Sequence, residues 1–212
     1  MKLIRKILSN IPGLKQFYNS IKENIIYFLQ KKKWQNLKKE KVIKLELGST
    51  QKGKNGFTTI DYLGGDISHN LLRPIPLEPN LVDEIYTSHA LEHFKFKNII
   101  FILKECKRIL KPNGKLKVCV PNAKKFIEAY LNKKILNVKA YYEPGLTDTG
   151  SYMDQVNYIA YLNGHHHYLF DEENLVNTIK KSGFENVFVR EFEKDLDLQE
   201  RHDESIYATA IK

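Results

Sequence analysis

The sequence is poor in cysteine and contains no long hydrophobic run. Its two cysteines, Cys106 and Cys119, lie within apolar periodic segments, so we expect buried thiols of a reducing compartment and no disulfide framework. No apolar stretch approaches the roughly 20 residues that cross a bilayer. The basic N-terminal stretch MKLIRKIL has a short apolar part and no small-residue cleavage site, which argues against a signal peptide. We therefore predict a cytoplasmic protein.

Acidic residues are scarce only in the N-terminal fifth of the chain. Residues 1–41 contain eleven lysines and arginines but two acidic residues, a surplus that equals the net charge of +9 of the whole chain. This asymmetry predicts a basic extension over 1–41 and a separate, neutral domain over 42–212.

The extension carries the pattern of an amphipathic helix, because apolar residues recur every three or four positions from Ile4 to Leu29. We favour packing of this helix on the domain. The alternative is a peripheral position at the inner face of a membrane, where the lysines of the extension contact anionic lipid.

Runs of strand length alternate with helical patterns from Val42 onward. The predicted strands span 42–48, 57–62, 66–69, 82–87, 115–121, 184–192 and 205–212, and the predicted helices span 96–110, 123–132 and 172–182. This alternation predicts an α/β fold with a doubly wound, mostly parallel sheet, whose ligands bind beyond the carboxyl ends of the strands. The last two strands are candidates for an antiparallel edge, and residues 137–164 are predicted to be irregular.

The first crossover of this fold is shortened. The few residues between Gly48 and the strand that begins at Phe57 cannot form the usual crossover helix between parallel neighbours. An apolar patch would then remain uncovered on one face of the sheet. We predict that the helix around residues 14–30 covers it.

Five segments of the domain follow one another in a characteristic order. They are LELGS at 45–49, FTTIDY at 57–62, DEIYTSHALEHF at 83–94, RILKPNGKLKVCVPN at 108–122 and HHYLFDEENLVNTIKKSGF at 166–184. In this order and spacing they resemble the class I S-adenosylmethionine-dependent methyltransferases. The HALEH segment is most similar to small methyltransferases of bacterial surface-polysaccharide gene clusters.

The resemblance implies a Rossmann-like seven-stranded fold, with S-adenosylmethionine as cofactor and S-adenosylhomocysteine as product. The cofactor-binding residues that it implies are Glu46, Gly48, Ser49, Asp61, Tyr62, Asn70, Leu71, Ser88 and His89. A turn at Gly48 lets the backbone approach the cofactor, and a carboxylate at Asp61 can accept hydrogen bonds from both ribose hydroxyls. Asn70 stands where the family commonly has aspartate near the adenine, and its amide oxygen preserves an acceptor.

Histidines supply the candidate catalytic groups. His89, at the mouth of the fourth strand beside the methyl donor, is the first candidate for the base that deprotonates an acceptor. The resemblance places His166 across the cleft from it. Glu92 either caps the next helix or orients a histidine, and His93 is expected to be partly buried. We expect no metal, because adjacent histidines in the extended run 165–167 point to alternate sides.

The predicted activity is O-methylation of a small or glycan-type acceptor, namely a sugar, a nucleotide-linked sugar or a phosphate-type substituent on one. The acceptor pocket is expected to draw on the tyrosine-rich region 141–161, which is long enough to form a lid. One alternative is an RNA methyltransferase that contacts phosphates through KKKWQNLKKEK at 31–41. The domain is neutral and the leader has a single tryptophan, so a nucleic acid partner is not expected.

Two further alternatives remain. A non-catalytic scaffold could bind cofactor or partner without performing chemistry. A nicotinamide-dependent oxidoreductase would share the fold but needs the fuller glycine loop, and GSTQKG at 48–53 lacks it.

Overall fold

The computed structural model describes residues 14–136 and 149–212. A long helix, α1 (Leu14–Leu37), precedes the sheet. The strands are β1 (Lys44–Leu47), β2 (Phe57–Asp61), β3 (Ile67–Ser68), β4 (Val82–Ser88), β5 (Leu110–Pro121), β6 (Asn186–Val189) and β7 (Ser205–Ile211). The later helices are α2 (Phe96–Ile109), α3 (Ala123–Leu131), α4 (Met153–Tyr161) and α5 (Glu172–Lys181), with 3-10 turns at Leu91–His93, Leu162–Gly164 and Gln199–Glu204.

The seven strands form one sheet in the order β3-β2-β1-β4-β5-β7-β6. Strands β1 to β5 pair in parallel, whereas β7 runs antiparallel to both β5 and β6. The predicted doubly wound, mostly parallel fold with an antiparallel edge is thus confirmed. The chain moves outward from β1 to β3 and then returns to β4, so β1 and β4 flank the point where the strand order reverses. Such a reversal opens a crevice at the carboxyl ends of the two strands.

The connection between β1 and β2 contains no helix, which confirms the shortened first crossover. Instead, Asp66 fixes this connection. Its carboxylate accepts hydrogen bonds from the backbone N–H of Gly53 at 2.9 Å and from the backbone N–H and hydroxyl of Thr59 at 3.1 and 3.0 Å. Gly53 itself passes so close to Phe57 that an added Cβ would lie 1.7 Å from the Phe57 carbonyl oxygen.

Helix α1 packs against the body near the β3 edge of the sheet. Trp34 and Leu37, which are 2% and 3% exposed, belong to the main core. The indole ring of Trp34 meets the His69 ring edge-on at 5.6 Å, and Lys33 Nζ donates to the Asp66 carbonyl at 2.6 Å. The helix therefore does pack on the domain, through Trp34 and Leu37. Packing of the predicted segment 14–30 on the sheet stays a prediction. The boundary at residue 41 stays a prediction, and residues 1–13 lie outside the described chain.

Helix α4 corrects the expectation that residues 137–164 are irregular. It is held at its start by the Asp154 carboxylate, which accepts hydrogen bonds from the backbone N–H groups of Thr149 and Ser151 at 2.8 and 3.2 Å. Tyr158 and Ile159 then pack with Phe126 of α3 in a small second core. The helix thereby carries the chain to His166. The remainder of the predicted lid, residues 141–148, lies outside the described residues.

Both cysteines are buried thiols, as predicted, and burial raises the pKa of each to about 12. Among the helices of the described segments, none has the combination of length and apolarity that a bilayer crossing requires.

Candidate active site

A cavity of about 340 Å³ opens at the carboxyl ends of β1 and β4. The parallel register pairs Leu47 with Thr87, so the residues that follow each strand meet at the same edge. Five of the predicted cofactor residues line this cavity: Glu46, Gly48, Ser49, Ser88 and His89.

Gly48 shapes the floor of the cavity. Its φ of +83° lies in the left-handed region, and a Cβ added there would lie 2.5 Å from the Ala90 Cβ. Its N–H donates to the Ile60 carbonyl at 2.9 Å, so the turn is fixed by the neighbouring strand. Only glycine fits this turn without displacing the segment after β4.

Glu46 places a carboxylate in the wall. Burial raises the pKa of this carboxyl group, while hydrogen bonding with Ser49 and the positive charges of Lys54 and Arg201 act in the opposite direction. A partly desolvated carboxylate is suited to hold an ammonium group.

The opposite wall is a segment that sequence reasoning missed, Lys194–Leu198 together with Arg201. Asp197 anchors it, because its carboxylate accepts hydrogen bonds from both terminal nitrogens of Arg190 at 2.5 and 2.7 Å. Tyr86 of β4 adds a hydrogen bond from its hydroxyl at 3.1 Å. The segment precedes β7, and the antiparallel direction of β7 brings its start to the carboxyl edge of β5.

The other predicted cofactor residues are not among those that line this cavity. Tyr62 and Asn70 line a second cavity of about 240 Å³, against α1. The Asp61 carboxylate accepts a hydrogen bond from the Leu63 N–H at 2.7 Å. Leu71 is buried in the main core. The predicted set is therefore divided, and a cofactor role for these four residues stays a prediction.

His89 has a strained backbone, with a φ of +47° in the left-handed region that few non-glycine residues adopt. Its Nε2 lies 2.7 Å from the Ser205 hydroxyl, which itself donates to the Arg201 carbonyl at 2.6 Å. Since the hydroxyl has one hydrogen, it must accept from Nε2–H. In the neutral ring Nδ1 therefore carries the lone pair and no hydrogen. Burial, together with the charge of Arg201, holds the pKa of His89 well below its usual range.

A smaller cavity of about 70 Å³ adjoins His89 on its other side. His166 also lines it, so the two predicted catalytic histidines do share one cavity. The Nδ1–H of His166 donates to the Ile159 carbonyl at 2.7 Å, which leaves Nε2 as its free nitrogen. Burial lowers the pKa of His166 as well.

Glu92 is the least expected member of this cavity. It is 2% exposed, and neither carboxylate oxygen accepts a hydrogen bond from another residue of the described segments. Its Oε1 lies 3.9 Å from His89 Nδ1 and 3.9 Å from His93 Nε2. Burial raises the pKa of Glu92 to about 8. Sequence reasoning expected a helix cap or an orienting group, and no capping bond is present in these segments.

Residues 37–118 match a family model described as a methyltransferase domain. The match spans β1 to β4, α2 and most of β5, and so includes the strand ends that form the larger cavity. None of the curated proteins compared with the chain matches it.

Several solved structures are similar to the chain at low sequence identity. A methyltransferase from Archaeoglobus fulgidus has a TM-score of 0.48 and 11% identity, over 90% of this chain and 94% of its own. One from Aquifex aeolicus has a TM-score of 0.46 and 14% identity, over 99% and 97%. A Haemonchus contortus phosphoethanolamine N-methyltransferase 2, in complex with phosphomonomethylethanolamine and S-adenosylhomocysteine, has a TM-score of 0.44 and 14% identity over 81% of this chain. The chain spans 49% of that protein.

Proposed function

We propose that the chain is an S-adenosylmethionine-dependent methyltransferase and transfers the methyl group to an oxygen atom of a small or glycan-type acceptor. The acceptor is a sugar, a nucleotide-linked sugar or a phosphate-type substituent on one. One observation carries the proposal: His89 forms part of the wall of both the larger and the smaller cavity. A donor in one and an acceptor hydroxyl in the other would meet at its side chain, which is the alignment that methyl transfer needs.

The larger cavity suits the cofactor. When bound, S-adenosylmethionine supplies an electrophilic methyl group on a sulfonium centre. Gly48 has no Cβ, which lets the turn after β1 pack closely on Ala90, and the Glu46 carboxylate would hold the ammonium group. Ser88 and His89, at the end of β4, would lie beside the methyl donor.

The smaller cavity suits the acceptor. Its volume of about 70 Å³ admits a hydroxyl-bearing end, not a whole nucleotide-linked sugar. Nδ1 of His89 would take the hydroxyl proton, because the contact with Ser205 places the ring hydrogen on Nε2. Arg201 in the same wall would offset the charge of a phosphate-type substituent. A role in surface-polysaccharide biosynthesis rests on the HALEH resemblance, and a cytoplasmic location stays a prediction.

The acceptor proposal is tested by incubating the protein with methyl-labelled S-adenosylmethionine and separate pools of sugar phosphates, nucleotide-linked sugars and RNA. We expect label on an oxygen of a sugar-type acceptor, and a loss of roughly 100-fold or more in rate for His89→Ala because a proton acceptor is removed. Labelling of RNA alone would favour the RNA methyltransferase. Binding of cofactor with no transfer to any pool would favour the scaffold.

Contact with a membrane surface through residues 1–41 is part of the proposal. The described part of α1 exposes an apolar stripe formed by Ile21, Ile25, Phe28 and Leu29. At about 100° per residue, this stripe lies on the side of the helix opposite Trp34, and exposed lysines 31–33 follow it.

We expect the full chain to sediment with vesicles rich in phosphatidylserine, less so at high salt and less for Phe28→Glu. Equal sedimentation with uncharged phosphatidylcholine vesicles, or none with either, would contradict this role.

A further inference from the structure

Three side chains at the inner end of the smaller cavity are arranged as metal ligands would be. The carboxylate of Glu92 and ring nitrogens of His93 and His166 all lie within 4.8 Å of one another. Glu92 and His93 come from the 3-10 turn after β4, and His166 comes from the segment after α4. The fold thus assembles the group from two elements that are distant along the chain.

The Glu92 carboxylate is buried and accepts no hydrogen bond from another residue of the described segments. A carboxylate removed from water is costly unless it is paired, hydrogen bonded or bound to a metal. Glu92 is 2% exposed, and no other residue of the described ranges donates a hydrogen bond to it. The charged groups that share its cavity are Glu204 and Arg201, which carry opposite charges.

Both histidines are held in the orientation that metal ligation requires. His93 Nδ1–H donates to the His165 carbonyl at 3.0 Å, and His166 Nδ1–H donates to the Ile159 carbonyl at 2.7 Å. In each ring the free lone pair is therefore on Nε2, and the two rings pack edge-on at 5.0 Å. Ligand histidines characteristically donate their other ring nitrogen to a carbonyl or carboxylate in this way.

We propose that Glu92, His93 and His166 bind a divalent transition-metal ion. Two imidazoles and one carboxylate favour ions of the zinc and iron type over magnesium or calcium. The Glu92 Oε1 and His93 Nε2 atoms are 3.9 Å apart, and tetrahedral ligands at bond lengths of about 2.1 Å lie about 3.4 Å apart. Side-chain adjustments of about 1 Å therefore close the site. This assignment replaces the expectation that the chain has no metal site, and gives His166 a ligand's role.

Three protein ligands leave a coordination position open, as in catalytic sites. That position would take an oxygen of the acceptor, near His89 Nδ1, which lies 3.9 Å from Glu92 Oε1. This second step rests on the proposed O-methylation. Metal binding itself does not, because it can be measured without cofactor or acceptor.

The test uses the full chain, stripped with chelator and titrated with Zn²⁺ by calorimetry and with Co²⁺ by visible absorption. We expect one equivalent bound at micromolar or lower dissociation constants, and an affinity loss of about 100-fold for both Glu92→Gln and His166→Asn. The control His167→Asn removes an adjacent, exposed histidine and is expected to leave the affinity within about twofold.

Failure of the wild-type chain to bind either ion would overturn the proposal, and so would wild-type affinity in Glu92→Gln. The Glu92→Gln variant keeps the shape of the side chain, so it remains a test even if His166→Asn does not fold. Loss of affinity in His167→Asn alone would assign the metal to the surface histidines and would likewise overturn it. Metal binding without methylation of any acceptor would count against the proposed function only. Methylation that is unchanged by chelator, in a chain without bound metal, would count against the metal's role only.

Discussion

Replacing Trp34 by alanine is expected to lower the free energy of unfolding by about 3 kcal/mol, the lower end of the range for a buried aromatic residue. The side chain is 2% exposed and supplies the cover that a crossover helix usually gives to the sheet. The low end applies because the indole N–H has no hydrogen-bond partner in the described segments. Replacing the side chain therefore also removes the desolvation penalty of a buried donor. Urea unfolding measures the change. It is followed by far-ultraviolet circular dichroism, because the variant lacks the only tryptophan and therefore has no tryptophan fluorescence.

Phe28→Ala on the same helix is the matched control. Phe28 is 72% exposed, so its removal is expected to change the unfolding free energy by no more than about 0.5 kcal/mol. If the two variants had equal stability, α1 would not be an integral part of the fold.

Replacing Gly48 by alanine is expected to weaken the binding of S-adenosylhomocysteine by tenfold or more. The new methyl group would lie 2.5 Å from the Ala90 Cβ and push the segment after β4, including His89, out of place. A tenfold loss corresponds to about 1.4 kcal/mol, which a small displacement of cavity walls readily causes. Calorimetric titration measures the affinity.

Gly56→Ala is the control that distinguishes backbone strain from the steric clash with Ala90. Gly56 has a similar φ of +80°, but a Cβ there would meet nothing within 4 Å. Both variants suffer the left-handed backbone cost of about 1–2 kcal/mol in stability, and only Gly48→Ala should lose affinity. Equal affinities in the two variants would show that the cofactor does not depend on the Gly48 turn.

The sheet could be predicted because turn-forming residues separate its strands, such as Gly48 after β1 and Gly56 before β2. Helix α4 could not be predicted in the same way. Two of its four buried residues are the polar Asp154 and Gln155, so the apolar spacing of a helix is interrupted. The Asp154 hydrogen bonds that start it depend on the conformation of the preceding loop.

The part of the candidate site that is formed by residues directly after β1 and β4 could be predicted from the sequence. Gly48 and His89 follow parallel neighbours, and their meeting follows from the fold class alone. The wall at Lys194–Leu198 depends on the direction of β7, which the sequence left open. A long, charged connection before an antiparallel last strand is the signal that could have indicated it.

The cluster of Glu92, His93 and His166 shows a second limit of prediction from sequence. The reasoning that three successive histidines cannot all ligate one ion still holds, because only His166 of the run joins the group. What it missed was the approach of His166 to Glu92 and His93, which depends on how α4 and the following turn are placed. Such contacts between residues far apart in the chain leave no local pattern.

The cavity between β1 and β4 is proposed to bind S-adenosylmethionine. Titration of the wild-type chain with S-adenosylhomocysteine, beside a titration with NAD⁺, tests this assignment. We expect saturable binding of S-adenosylhomocysteine at one site with a micromolar dissociation constant, and no heat from NAD⁺. Absence of binding by S-adenosylhomocysteine, or competition for its site by NAD⁺, would show that the cavity is not an S-adenosylmethionine site.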